Sequence, residues 1–365
     1  MSTTSKSPRK VLLAAYAIGR TALPDHPHRF APRKFTQPQL FACLVLKAFF
    51  KTDYRGIAAY LNDLPDLRRT IGLIHTPHFT TLQKAADRFM RQAVARQLLG
   101  ASVQLNLHRR RRVQLAALDA TGFETRHVSP YFVRRRSRVP GLWQTTTYTR
   151  YPKMAAVCDC TNHIILALWL GSGPGVDVKH FVRLLWDAMR QAKIDTIVAD
   201  AGYDAEASHV FAREYVEVRS IIPARIGRPT ARPPTGRWRR QMRQRFNRKL
   251  YGQRWQMETV FSMIKRRMTA CLAGRSYWSR CREMMLLAIT HNAMILLCMG
   301  RFSTEQYGSG FSGHRENLCA FQAGRLQSPR PPGAGINNRF DRVRVWVESV
   351  PEAPRRGAPR RVGCV

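Results

Sequence analysis

The sequence predicts an α/β domain preceded by an α-helical amino-terminal region. Apolar residues recur at helical spacing over roughly the first hundred positions, strand-like apolar runs ending in acids begin at Val113, and an amphipathic helical pattern lies between two of those runs.

In the amino-terminal part, FTQPQLFACLVLKAFF, DYRGIAAYLNDL and TTLQKAADRFMRQAVARQLL each read as a helix, separated by turn signals such as HTPHF. Thr80 or Thr81 is the expected cap of the third. The spacing fits a helix-turn-helix lying on DNA and also a plain helical bundle. From Val113 the pattern changes. RRVQLAALDATG is a β-rich run ending in an acid and a turn, MAAVCDCTNHIILALWLGSG reads as a hairpin turning near CTNH, and KIDTIVADAGYD is another strand ending in an acid. Between them DVKHFVRLLWDAMRQA is an amphipathic helix with Asp177 as its expected cap.

From Arg225 to Lys249 there are ten Arg or Lys residues and no acid, interrupted by Pro229, Pro233, Pro234 and Gly236. Too many breakers for one helix and too much charge for a core predict a flexible basic arm or loop. Met284–Gly300 is apolar but short and carries His291 and Asn292 centrally, so it reads as a buried core helix whose polar groups are satisfied internally. The expected organisation is a helical DNA-binding region over residues 1–105, an α/β domain over 106–302 that includes the basic loop 225–249, and a disordered basic tail over 303–365.

Composition narrows the function. The 365 residues include 61 Lys and Arg against 23 Asp and Glu, a formal charge of +38. Such a surplus repels itself unless a polyanion neutralises it, which points to nucleic acid. The basic residues are spread along the chain rather than gathered on one amphipathic helix, which argues against a membrane surface. Eight cysteines without a C-x-x-C pair read as reduced thiols in a cytoplasmic, nucleoid-associated protein, with no structural zinc site. VLLAAYAIG is interrupted by Arg20 and lacks a cleavage site, so it is not read as an export signal.

The chemistry is sought among the acids. In YGQRWQMETVFSMIKRRM, Glu258 is the one acid among four basic residues. On a helix, Tyr251, Arg254, Glu258 and Lys265 share a sector of roughly 60°, beside an apolar stripe of Met257, Val260, Phe261, Ile264 and Met268. Arg254 can pair with Glu258 at i, i+4, which stabilises a helix by only ~0.2–0.5 kcal/mol. Asp119 and Asp200 each end an apolar strand-like run, where side chains leave the sheet. Either alone fits a turn or cap. Three carboxylates gathered at one place would repel and raise their own pKa values unless divalent cations sat between them. Oxygen ligands of this kind favour Mg²⁺ or Mn²⁺, and a pair of such ions can activate an attacking oxygen and stabilise a leaving one in phosphodiester displacement. Asp204 is read as the cap of AEASHVFAREY and Asp159 as a hairpin residue; Trp143, Trp238 and Trp278 read as packing or cation-π residues that could also stack on bases.

The order Asp119, Asp200, Glu258, within ALDATG, VADAGYD and the Tyr251, Arg254, Glu258, Lys265 spacing, resembles DDE-type insertion-sequence transposases with the Y-R-E-K signature. DYRGIAAYLNDLPDLRRTIGL with TPHFTTLQKAADRF is similar to their amino-terminal helical region, and IIPARIGRP to the segment before their basic loop. The resemblance implies a ribonuclease H-like catalytic domain. It also implies binding of double-stranded DNA at terminal inverted repeats and at a target, with strand cleavage and transfer by two Mg²⁺ or Mn²⁺ ions in a homo-oligomer, taken here as a dimer. By the same resemblance Asp119, Asp200 and Glu258 hold the metals, while Tyr251, Arg254 and Lys265 contact DNA. Arg237, Arg239, Arg240 and Arg243 of the basic loop are the further expected DNA contacts. Two other readings stand beside this one: a structure-selective, Mg²⁺-dependent nuclease, and a non-catalytic DNA-binding remnant.

Overall fold

The computed structural model describes residues 4–107, 112–126, 150–224 and 234–296. The RRRSR run, Trp143, the first part of the basic loop and the tail 303–365 lie outside the described residues.

Six helices come first: α1 (Pro8–Ala22), α2 (Gln37–Phe49), α3 (Tyr54–Asp63), the short α4 (Pro65–Arg69), α5 (Phe79–Phe89) and α6 (Gln92–Leu107). Helix α2 opens with a capping box in which the Thr36 side chain and Gln39 satisfy each other's backbone N–H groups. The third predicted helix is in fact two. The backbone leaves helical geometry at Met90 (φ −89°, ψ 14°), and the cap of α5 is His78, whose Nδ1 accepts from Thr80 N–H at 3.4 Å, not Thr80 or Thr81. The break is needed because α5 packs on α2 and α3 whereas α6 packs on α1 and on the last helix, which one straight rod could not do.

The α/β part consists of β1 (Arg112–Gly122), a short β2 (Glu124–Thr125), β3 (Tyr151–Asp159), β4 (Ile165–Gly173), α7 (Val178–Met189), β5 (Lys193–Ala199), α8 (Glu206–Val210) continuing as a wider π turn, β6 (Arg219–Ile221), α9 (Arg237–Gln244), α10 (Arg248–Gly252), α11 (Trp255–Arg267), β7 (Cys271–Leu272) and α12 (Tyr277–Leu296). The main sheet has the order β4-β3-β1-β5-β6, with β3 antiparallel to β1 and β4, and β5 parallel to β1 and β6. This mixed five-stranded order, with helices on both faces, is that of a ribonuclease H-like domain following an all-helical region. The predicted hairpin is β3–β4, and Asp159 holds its turn by accepting from Thr161 N–H at 2.8 Å.

Helix α12 joins the two parts. From Met284 to Leu296 it is buried, against α1, α2 and α6 on one side and β3 and β4 on the other. Its polar groups are engaged: the Asn292 amide donates to Ser102 Oγ and Ile165 O and accepts from Ile165 N–H, each at 2.9 Å, and His291 Nε2 meets His163 O at 2.9 Å. Among the described residues no helix is long and apolar enough to cross a membrane.

Two sequence expectations change here. Part of the predicted flexible basic loop is ordered as α9 and α10. The Tyr251–Lys265 stretch is not one helix either: at Gly252–Arg254 the chain tightens into bonds from Gln253 N–H to Leu250 O and from Arg254 N–H to Tyr251 O, so Tyr251 sits on α10 and Glu258 on α11.

Candidate functional site

The site grows from the centre of the sheet. The parallel register pairs Leu118 with Ala199, so the next residues, Asp119 within β1 and Asp200 just past the end of β5, follow in register on adjacent strands. The strands form because Val113, Ala116, Ala117 and Leu118 on β1 and Ile197, Val198 and Ala199 on β5 are buried between the helix layers. At Asp200 the chain turns away from the sheet into a short 3-10 turn, Ala201–Tyr203.

Helix α11 lies against β1 and β3 by its apolar stripe: Met257, Val260, Phe261 and Ile264 are buried, as the sequence predicted. That contact aims the polar row at the strand ends. Arg254 Nη1 donates to Asp119 Oδ2 at 2.5 Å and its Nη2 to Glu258 Oε1 at 2.6 Å, so one guanidinium bridges two of the three acids. Lys265 Nζ donates to Thr121 Oγ1 at 2.7 Å, two residues beyond Asp119, and lies 5.4 Å from the Phe123 ring centre. Tyr251 packs on Phe246 with ring centres 4.9 Å apart.

The charges of these groups act on one another. Burial pushes the Asp119 carboxyl above its usual range; the Ala120 N–H and Arg254 oppose this, while the charges of Asp200 and Glu258 add to it. Burial also raises Tyr251, with Arg254 acting against it and Asp200 and Asp119 with it. For Arg254, burial works against its charge, but Asp119, Tyr251, Glu258 and Asp200 together hold it firmly protonated. Burial lowers Lys265, partly countered by Glu124.

Residues that sequence reading passed over complete the floor. Lys153 of β3 is buried and forms an ion pair with Asp177, at the start of α7. Asp177 holds the predicted cap position but makes no side-chain capping bond. Its Oδ2 and that of Asp200 each lie 3.7 Å from where a Cβ on Gly202 would stand, so the two oxygens are within twice that distance of each other. Tyr203 is 1% exposed, and its hydroxyl has no hydrogen-bond partner; burial raises its pKa, and Asp177, Asp119 and Asp200 add to the effect. The sequence signal for this floor was only the short DAGYD turn.

Helix α9 packs on α8, beyond the turn that follows Asp200, and carries basic surface. Arg237, Arg240 and Arg243 are exposed. Arg239 instead makes a bidentate pair with Asp204, at 3.0 Å from Nε and 2.7 Å from Nη2. Asp204 is therefore not the cap of α8: that position is Ala205, without a side-chain bond.

The sequence profile of the family described as Transposase DDE domain matches residues 112–293, the span from the first residue of β1 almost to the end of α12. The chain belongs to the transposase DDE domain family. The matched span contains Asp119, Asp200 and Glu258 together with the Tyr251, Arg254 and Lys265 row. A crystal structure of a pre-cleavage Mos1 transpososome aligns over 80% of this chain and 84% of that chain, at 11% identity and a TM-score of 0.20, too low a likeness to support the assignment. No curated protein matches the chain. Among the described residues of this DDE protein, no three His, Cys, Asp or Glu side chains stand close enough together to hold one metal ion. The Arg254 guanidinium stands between Asp119 and Glu258, bonded to both.

Proposed function

We propose that the protein is the transposase of an insertion sequence: it binds double-stranded DNA at the element's terminal inverted repeats and catalyses metal-dependent strand cleavage and strand transfer. The observation that supports this reading is the Arg254 guanidinium joining Asp119 of β1 to Glu258 of α11, with Asp200 next in register beside Asp119.

The donor chemistry suits Mg²⁺ or Mn²⁺, although the acids do not surround a common ion as they stand. The donors are all carboxylate oxygens, the guanidinium occupies a cation's place between Asp119 and Glu258, and the buried Tyr203 hydroxyl has no hydrogen-bond partner. Asp119, Asp200 and Glu258 would hold the ions, which when bound neutralise the reacting phosphate and activate the attacking oxygen. Arg254 would then turn from the carboxylates to a DNA phosphate. Lys265, bonded to Thr121 two residues beyond Asp119, would hold a neighbouring phosphate, and Tyr251 would wall the strand on the α10 side. Arg237, Arg240 and Arg243 present a point-charge surface for the duplex backbone, which fixes position without reading sequence. We take the working assembly to be a homodimer on paired ends, in the cytoplasm with the nucleoid.

The test uses DNA carrying the inverted repeats that flank the reading frame. Mg²⁺-dependent nicks at the repeat ends, and joining of a pre-cut 3′-hydroxyl end to a target duplex, are expected. Glu258→Gln should abolish both and leave end binding within about twofold, because the basic surface that dominates affinity is intact. Hydrolysis without joining would make the protein a nuclease, and binding without any metal-dependent cut would make it a non-catalytic DNA binder.

A further inference from the structure

The most basic segment of this chain is held down by acids. Helix α9 has five arginine or tryptophan side chains in eight residues, too little apolar surface to dock by burial; only Met242 is buried. Instead, the turn and helix that follow Asp200 supply three carboxylates to it. The Asp204 side chain is fully buried and takes Arg239 bidentately, with its two oxygens 3.0 and 3.0 Å from Nε and one 2.7 Å from Nη2. Glu206 accepts from the first free N–H groups of the helix, Trp238 at 2.9 Å and Arg239 at 3.1 Å, so it serves as a cap delivered from another element. Glu214 accepts from Trp238 Nε1 at 2.7 Å. Arg213 fills the space between, 4.6 Å from the Trp238 ring, bonded to Ser220 O at 2.6 Å and reaching Gln241 at 3.5 Å. Gly236, at φ +98°, lets the chain enter the helix so close to Glu206 that a Cβ there would stand 2.2 Å from Oε2.

We infer that Asp204 is a positioning residue: with Glu206 and Glu214 it latches α9 to the strand end that carries Asp200. The exposed arginines Arg237, Arg240 and Arg243 thereby hold DNA in a fixed register with the metal-holding carboxylates. This rests on the proposed function above. Asp204 lies four residues after Asp200 on the same turn, so displacement of α9 and displacement of the second acid are mechanically linked. In a chain of +38, the latch also sets Arg239 apart from the other arginines of the helix: its partner is Asp204 and not DNA. Preorganising the contact surface in this way reduces the ordering cost on binding.

The experiment compares the full chain with Asp204→Asn, Arg239→Gln, the two combined, and Gly236→Ala, which disturbs the latch without removing a charge. Two readouts are taken: the rate of tryptic cleavage after Arg237, Arg240 and Arg243 without DNA, and the cleavage rate of end DNA at saturating DNA beside the binding constant. Opening of the latch should raise tryptic cutting at α9 by at least about tenfold, since proteolysis tracks the open population. It should lower the DNA cleavage rate at saturation by about tenfold or more, the signature of lost register and not of lost charge. Arg239→Gln is expected to be the worst single variant because it removes the bidentate cationic partner of a buried carboxylate, and adding Asp204→Asn should partly rescue it. Unchanged tryptic cutting in all four variants overturns the latch. Faster cutting with an unchanged DNA cleavage rate overturns the positioning role. Failure of the proposed function would show separately, as absence of metal-dependent cleavage by the unaltered chain, with the tryptic result standing.

Discussion

Replacing Arg254 by Ala tests how the acids are balanced before metal arrives. Two charge-assisted hydrogen bonds disappear, at 2.5 Å to Asp119 and 2.6 Å to Glu258, but they are not equivalent. The Asp119 side chain is 18% exposed, and without Arg254 it keeps only the Ala120 N–H, so this half should cost about 1.5–3 kcal/mol. Glu258 is 58% exposed and pairs at i, i+4, which makes its half worth ~0.2–0.5 kcal/mol at most. Together the variant should lose about 1.7–3.5 kcal/mol in chelator. A divalent ion that binds only the folded protein returns about 2.7 kcal/mol at a hundred times its dissociation constant. With the competing guanidinium gone, Mg²⁺ should therefore stabilise Arg254→Ala more than the unaltered chain. Urea midpoints with Mg²⁺ and with chelator measure both quantities. An equal Mg²⁺ shift in the two proteins, or one larger in the unaltered chain, refutes the idea that Arg254 occupies the cation's place.

Two further outcomes follow from buried polar groups. Asn292→Ala removes three hydrogen bonds that tie α12 to the start of β4 and to α6, leaving Ile165 N–H and C=O unpaired; it should cost about 2–5 kcal/mol by urea unfolding, with Ser102→Ala costing markedly less. His209 and His291 are buried and held neutral, each lowered to about 4 by desolvation. The unfolded chain takes up their protons near pH 6.5, so the stability they allow is complete above that pH and falls as pH drops towards 4, by about 1.4 kcal/mol per unit for each histidine. His291→Gln should show a shallower fall across that window, and an identical slope would contradict the assignment.

The parts of this fold that were legible in the sequence are those specified by local pattern. The stripe from Met257 to Ile264 set the buried face of α11, the apolar runs before Asp119 and Asp200 set two strands whose pairing only the structure gives, and CTNH set the hairpin turn. What was missed depends on partners far along the chain. Spacing gave Arg254 a partner in Glu258, but the shorter bond is to Asp119, 135 residues away. Helix α9 was unreadable because its anchors, Asp204, Glu206 and Glu214, lie upstream of the segment and outside any helical period. The break at Met90 carries no Gly or Pro; it follows from the two halves packing on different helices. Tyr251 was placed on the same helix as Glu258 because an ideal rotation per residue was carried through Gly252, where the chain tightens.

The claim on which the account rests is that Asp119, Asp200 and Glu258 act as one ligand set for divalent cations. Titration of Mn²⁺ into the DNA-bound full chain, followed by electron paramagnetic resonance, measures this without relying on catalysis. The account predicts that Asp119→Asn, Asp200→Asn and Glu258→Gln each weaken the same bound Mn²⁺ signal. Retention of the unaltered signal and affinity by any one of the three would contradict it.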